Sequence, residues 1–104
     1  MTPRLSLLTR QLVEITFRSP DATEAILWLE QDCGDNLPFC AGQNESEMER
    51  LRFAAIKISK GNLHQLRKAI DLARIDWRDL LMAAGFGDDV DAHNEWAKEV
   101  LYTS

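Results

Sequence analysis

The stretch NESEMERLRFAAIKISKGNLHQLRKAIDLARIDWRDLLMAAG, residues 44–85, decides the fold because it predicts three consecutive helices. Apolar residues recur there three and four positions apart, the spacing of an amphipathic helix. The three apolar stripes are Met48, Leu51, Ala54, Ala55 and Ile58; Leu63, Leu66, Ala69, Ile70 and Ala73; and Trp77, Leu80, Leu81 and Ala84. Asn62 and Asp76 are suited to cap helix starts, and Gly61 and Gly85 are suited to end helices.

The flanking segments extend this pattern in both directions. An N-terminal helix is predicted from Leu5, Leu8, Leu12 and Ile15, although residues 12–18 also alternate in the manner of a strand and that alternative stays open. A second helix follows Ser19-Pro20, where Ser19 can cap and Pro20 suits the first helical position. A sixth helix is predicted after Gly85, with an apolar stripe of Val90, His93, Ala97, Val100 and Leu101.

The third helix carries apolar residues on a second side, at Phe53 and Ile56, which indicates a central helix contacted by several others. About six short helices without a confident strand predict an all-α fold. We therefore expect a compact single-domain bundle spanning residues 1–104, with an irregular loop at about 35–44.

Length and composition narrow the class of protein. The chain has 104 residues, and its 12 Lys and Arg against 17 Asp and Glu give a formal net charge of −5 at pH 7. No apolar run approaches the roughly 20 residues of a membrane span, and the first ten residues do not resemble a secretory signal. Cys33 and Cys40 are expected to be two thiols in a cytoplasmic protein, with a local disulfide as the alternative.

The negative charge is unevenly distributed along the chain. Residues 1–44 carry a net charge of −3 and residues 79–104 a net charge of −5, whereas residues 45–78 carry +3. The basic residues of the middle segment are Arg50, Arg52, Lys57, Lys60, Arg67, Lys68, Arg74 and Arg78. They either converge into a positive patch suited to an acidic partner or a self-complementary dimer, or they spread over solvated faces and pair locally.

Several large apolar residues lie off the predicted stripes, and Trp28 and Leu27 are the best candidates for an exposed contact patch. The sequence therefore predicts a non-enzymatic protein-interaction or regulatory module that binds a protein partner or forms a homodimer. The candidate partner-binding residues are Leu27, Trp28, Arg50, Lys57, Arg67, Lys68, Arg74 and Arg78.

A helix-turn-helix-like nucleic-acid-binding protein that uses the basic segment 50–78 is the first alternative. Its recognition helix would begin Trp77-Arg78-Asp79-Leu80-Leu81-Met82. That helix offers one Arg, an Asp that repels phosphate and no Asn, Gln, Ser or Thr to contact base edges, so the sequence does not favour this function.

A small enzyme with a site near loop 35–43 and either His64 or His93 is the second alternative. We predict no cofactor, since Gly85-Phe86-Gly87 is followed at once by Asp88 and Asp89, which would repel a phosphate. We also predict no metal site, because the Cys and His residues lack the paired spacing of metal ligands.

Overall fold

The computed structural model describes residues 5–33, 45–89 and 91–103. Within these ranges it contains six α-helices and no strand: α1 (Leu7–Thr16), α2 (Asp21–Asp32), α3 (Glu45–Ser59), α4 (Leu63–Ile75), α5 (Trp77–Ala84) and α6 (Ala92–Thr103). The Cα radius of gyration is 12.2 Å, close to the value of about 13 Å for a compact chain of this length. The predicted all-α compact bundle of about six short helices is confirmed.

Helix α3 is the centre of the bundle. It packs against α1, α4, α5 and α6, while α2 lies across α1 and α4. Phe53 and Ile56, on its second apolar side, are fully buried, as are Leu51, Ala54 and Ala55. A helix surrounded by four others needs apolar residues on more than one side, so the predicted two-sided core is confirmed.

Helix α1 resolves the ambiguity between helix and strand in residues 12–18. The chain is helical to Thr16, and Phe17 then leaves in an extended conformation with φ −107° and ψ 144°. Phe17 and Val13 are buried, whereas Ile15 is 42% exposed and does not join the core stripe as expected. Because the helix ends at Thr16, the Phe17 ring reaches the core from the extended segment that follows.

Local signals set most of the helix boundaries as predicted. The Asn62 side chain accepts a hydrogen bond from the Gln65 amide at 3.0 Å, and Gly61 and Gly85 have φ values of 81° and 80°. These are N-caps and left-handed residues of the kind expected at helix ends. Asp76 caps the start of α5, because its side chain accepts hydrogen bonds from two amides of the first turn of that helix.

The second helix follows Ser19-Pro20 as predicted, but the predicted Ser19 cap and the placement of Pro20 inside the helix are wrong. Helix α2 begins at Asp21, so Pro20 precedes the helix, and no side chain caps it. The Ala22 amide instead donates to the Arg18 carbonyl at 3.0 Å. A backbone turn thus satisfies an amide that Ser19 was expected to satisfy.

Two sequence predictions lie outside the described residues. The irregular loop at about 35–44 is one, and with it the enzyme site proposed near 35–43. The other is the Cys33–Cys40 disulfide, of which only Cys33 is described, as a buried thiol.

Candidate interaction surface

Helix α5 is eight residues long and divides cleanly into two sides. Leu80, Leu81 and Ala84 are buried against the bundle, whereas Met82 is 61% exposed. Met82 is one of several large apolar side chains exposed among the described residues, and its long unbranched side chain adds a flexible apolar group to the surface of α5. Two grooves flank Met82, and its side chain forms a wall of both.

The first groove encloses about 380 Å³ and lies between α3, α5 and the residues that follow α5. Its lining residues are Arg50, Trp77, Arg78, Leu81, Met82 and Gly87. The Arg78 guanidinium lies over the Trp77 ring, 5.2 Å from its centroid, within the range of a cation–π contact. The buried Arg50 side chain donates a hydrogen bond from Nη2 to the Phe86 carbonyl. The groove therefore has two guanidinium groups beside an apolar floor.

The second groove encloses about 530 Å³ on the other side of Met82 and is lined by Lys57, Ile58, Lys60, Met82, Ala83, Ala84 and Gly85. Lys57 Nζ donates to the Ala84 carbonyl at 2.7 Å and lies 4.9 Å from the centroid of the Phe86 ring. An ammonium group is favourable there because the last carbonyls of a helix carry partial negative charge.

We call this region the Met82 surface and define it by seven residues: Arg50, Lys57, Lys60, Trp77, Arg78, Leu81 and Met82. Within the described part of the chain, no carboxylate forms an ion pair with Lys57, Lys60 or Arg78. Lys57 hydrogen-bonds to a helix carbonyl, but none of the three charges is offset by a carboxylate of the described residues. The surface combines an apolar centre with a basic rim.

The other basic residues of the middle segment lie elsewhere. Arg67 contacts α2, where it pairs with Asp32 at 3.1 Å, and it also pairs with Asp71 at 3.5 Å on its own helix. Lys68 and Arg74 are exposed on α4 and line neither groove. The predicted basic set is thus divided: Arg50, Lys57 and Arg78 come together around α5, and Arg67 is neutralised on the α2–α4 side.

Leu27 and Trp28 belong to the α2–α4 side. Leu27 is 43% exposed, whereas Trp28 is partly buried and packs against the core. The Arg67 guanidinium lies over the Trp28 ring at 5.1 Å from its centroid. Because Arg67 already has two carboxylate partners, its charge is paired within the fold. The exposed Leu27 side chain is then the main group near Trp28 that a partner could contact.

The two histidines suggested for an enzyme lie apart from both grooves. His64 is exposed near the start of α4. His93 is buried beside aromatic rings, with its centroid 5.4 Å from that of Phe53 and 6.3 Å from that of Phe86. Residues 5–33, 45–89 and 91–103 contain no group of three His, Cys, Asp or Glu side chains that could hold a metal ion. No described helix is long and apolar enough to cross a membrane.

The sequence identified Arg50, Lys57 and Arg78 as basic candidates but missed the apolar centre between them. One local signal was present: Arg78 and Met82 are four positions apart and therefore share one face of a helix. No pattern in the sequence indicated that Gly87 makes room for the Met82 side chain. A Cβ atom at Gly87 would collide with the Met82 side chain, so the absence of a side chain at this position allows Met82 to lie where it does.

Comparison with known proteins adds no assignment. No family model matches the chain, and no curated protein or solved structure is significantly similar to it.

Proposed function

We propose that this protein is a non-enzymatic interaction module whose Met82 surface binds an acidic segment of a protein partner. The observation that carries the proposal is the exposed Met82 side chain flanked by Lys57, Lys60 and Arg78, three cations without a carboxylate partner in the described part of the chain.

The two components of the surface have complementary roles in binding. Met82 and the half-buried Trp77 supply apolar area, and a methionine adapts its shape to different partners because it is unbranched and flexible. The surrounding cations attract and orient an acidic partner, which raises the association rate more than the affinity. An amphipathic segment with acidic residues beside apolar ones matches this arrangement.

A nucleic acid fits the same surface less well. Its backbone presents regularly spaced phosphates and polar sugars, so it would bury little apolar surface against the exposed Met82 side chain. The sequence of α5 also lacks the polar side chains that contact base edges.

A second copy of this chain is another source of acidic residues, since residues 79–104 carry a net charge of −5. Such a homodimer would bring the C-terminal part of one protomer to the Met82 surface of the other. Light scattering distinguishes this arrangement from binding of a different protein, because only self-association raises the molar mass of the protein alone.

The experiment uses a short fluorescent peptide that alternates Glu and Leu, with a Gln and Leu peptide as the neutral control. We expect fluorescence anisotropy to detect binding of the acidic peptide at low salt, with weaker binding at high salt as the ionic interactions are screened. The variant Arg78→Glu should lower the affinity about tenfold or more. The matched variant Lys68→Glu, outside the surface, should leave it unchanged.

Three results would contradict the proposal. The first is no binding of the acidic peptide at low salt, and the second is an equal loss for Arg78→Glu and Lys68→Glu. The third is tighter binding of a DNA duplex than of the acidic peptide, which would indicate that the protein binds nucleic acid. A dimer that dissociates on Arg78→Glu would instead identify the partner as a second copy of the chain.

A further inference from the structure

The first groove has properties that the rest of the Met82 surface lacks. At about 380 Å³ it is near the lower limit of the roughly 300–1,000 Å³ that ligand pockets enclose. That space suits one or two residues rather than the length of a helix. The groove therefore selects a small feature of the partner.

Two guanidinium groups supply the positive charge of this groove. The Arg78 guanidinium lies over the Trp77 ring, 5.2 Å from its centroid, and the Arg50 side chain donates a hydrogen bond to the Phe86 carbonyl. A guanidinium group carries its N–H groups in its own plane and can bind a carboxylate through two parallel hydrogen bonds. Arg78, which is exposed and has no carboxylate partner among the described residues, is the group in this groove that can receive a carboxylate.

Apolar surface lies directly beside this charge, on Trp77, Leu81 and Met82. A ligand that fits both carries a carboxylate and an apolar group close together. The last residue of a polypeptide does so compactly, because its carboxylate and its side chain share one Cα atom. An internal Glu beside an apolar residue needs more room, since the chain continues on both of its sides.

We infer that this groove receives the C-terminal residue of the partner chain, with the terminal carboxylate on Arg78 at the Arg50 side and an apolar last side chain against Trp77, Leu81 and Met82. The inference rests on the proposed function, of which it specifies the partner. Lys57 and Lys60, at the second groove, then contact acidic residues that precede the C-terminus. Capture of a terminal carboxylate is a recurrent mode of peptide recognition.

The test compares two acidic peptides of the same sequence that end in Leu, one with a free C-terminal carboxylate and one with a C-terminal amide. We expect the free acid to bind about tenfold more tightly, as measured by fluorescence anisotropy. Arg78→Gln should remove this difference. Lys60→Gln should weaken the binding of both peptides by the same factor, because Lys60 lies at the second groove.

A third peptide, with Ser in place of the terminal Leu and a free carboxylate, tests the apolar requirement and should bind more weakly than the Leu form. Equal binding of acid and amide by the wild-type protein would overturn the inference while leaving the proposed function intact, provided that both still bind. An acid–amide difference that survives in Arg78→Gln would overturn it too. Failure of both peptides to bind would instead contradict the proposed function itself.

Discussion

Lys57 ties the central helix to the C-terminal end of α5 through a hydrogen bond of 2.7 Å from its Nζ atom to the Ala84 carbonyl. The same ammonium group lies over the Phe86 ring. One side chain therefore caps α5, neutralises the negative end of its dipole and contacts the buried aromatic ring that follows. Although it belongs to the basic rim, Lys57 also has a structural role.

We expect Lys57→Met to destabilise the fold by about 1 kcal/mol, because the variant keeps the aliphatic stem but removes the charged hydrogen bond. Lys68→Met is the matched control: Lys68 is exposed on α4, and its replacement should change the free energy of unfolding by less than about 0.5 kcal/mol. Urea denaturation measures both. Equal stabilities of the two variants would show that the Lys57 hydrogen bond contributes nothing.

Gly61 and Gly85 have nearly the same φ, 81° and 80°, but different surroundings. A Cβ at Gly61 would lie 2.5 Å from the Thr16 carbonyl oxygen, whereas a Cβ at Gly85 would meet only Lys57 Nζ at 3.7 Å. Gly85→Ala should cost about 1 kcal/mol, the conformational penalty alone. Gly61→Ala must also displace backbone, so we expect a cost of at least about 2 kcal/mol.

Chemical denaturation of the two glycine variants provides the comparison, with each serving as the control for the other. Equal losses would mean that the close approach between Gly61 and Thr16 relaxes at no cost. A larger loss for Gly85→Ala would contradict the assignment of Gly61 as the point where the α3–α4 turn packs against the end of α1.

The features that the sequence predicts well are those set by neighbours along the chain. The Asn62 and Asp76 caps and the left-handed glycines at 61 and 85 each depend on groups only a few residues away. The central position of α3 was also predictable, because a helix with two apolar sides must be covered on both. These local and periodic signals are sufficient for the number and order of the helices.

The distribution of charge was not predictable in this way. Arg67 and Arg78 are alike in the sequence, yet Arg67 pairs with Asp32, which is 35 positions away, and Arg78 has no carboxylate partner among the described residues. The pair between Arg67 and Asp71, four positions apart on α4, can be expected from the sequence, but the pair with Asp32 depends on α2 packing beside α4. Long-range packing of this kind leaves no periodic signal, so the sequence identifies the basic residues but not the full set of their carboxylate partners.

Trp28 and Leu27 are adjacent in sequence but should respond differently to truncation. Trp28 packs against the core and supports Arg67, so Trp28→Ala should destabilise the protein by about 2 kcal/mol. Leu27→Ala removes an exposed side chain and should cost less than about 0.5 kcal/mol. Urea denaturation measures both costs. If light scattering shows that the wild type is a dimer and that Leu27→Ala is a monomer, then Leu27 and Trp28 belong to a homodimer interface.

Met82 lies between the two grooves, so a charge placed there tests the electrostatic character of the whole surface. Met82→Glu places a carboxylate between Arg78 and Lys57, where it would neutralise the rim and repel an acidic ligand, so binding of the Glu and Leu peptide should fall at least about tenfold. The matched control is Ile75→Glu, since Ile75 is exposed at the end of α4 and lines neither groove. That variant adds the same charge to the protein and should bind the peptide like the wild type. An equal loss in both variants would mean that net charge alone, and not the Met82 surface, governs binding.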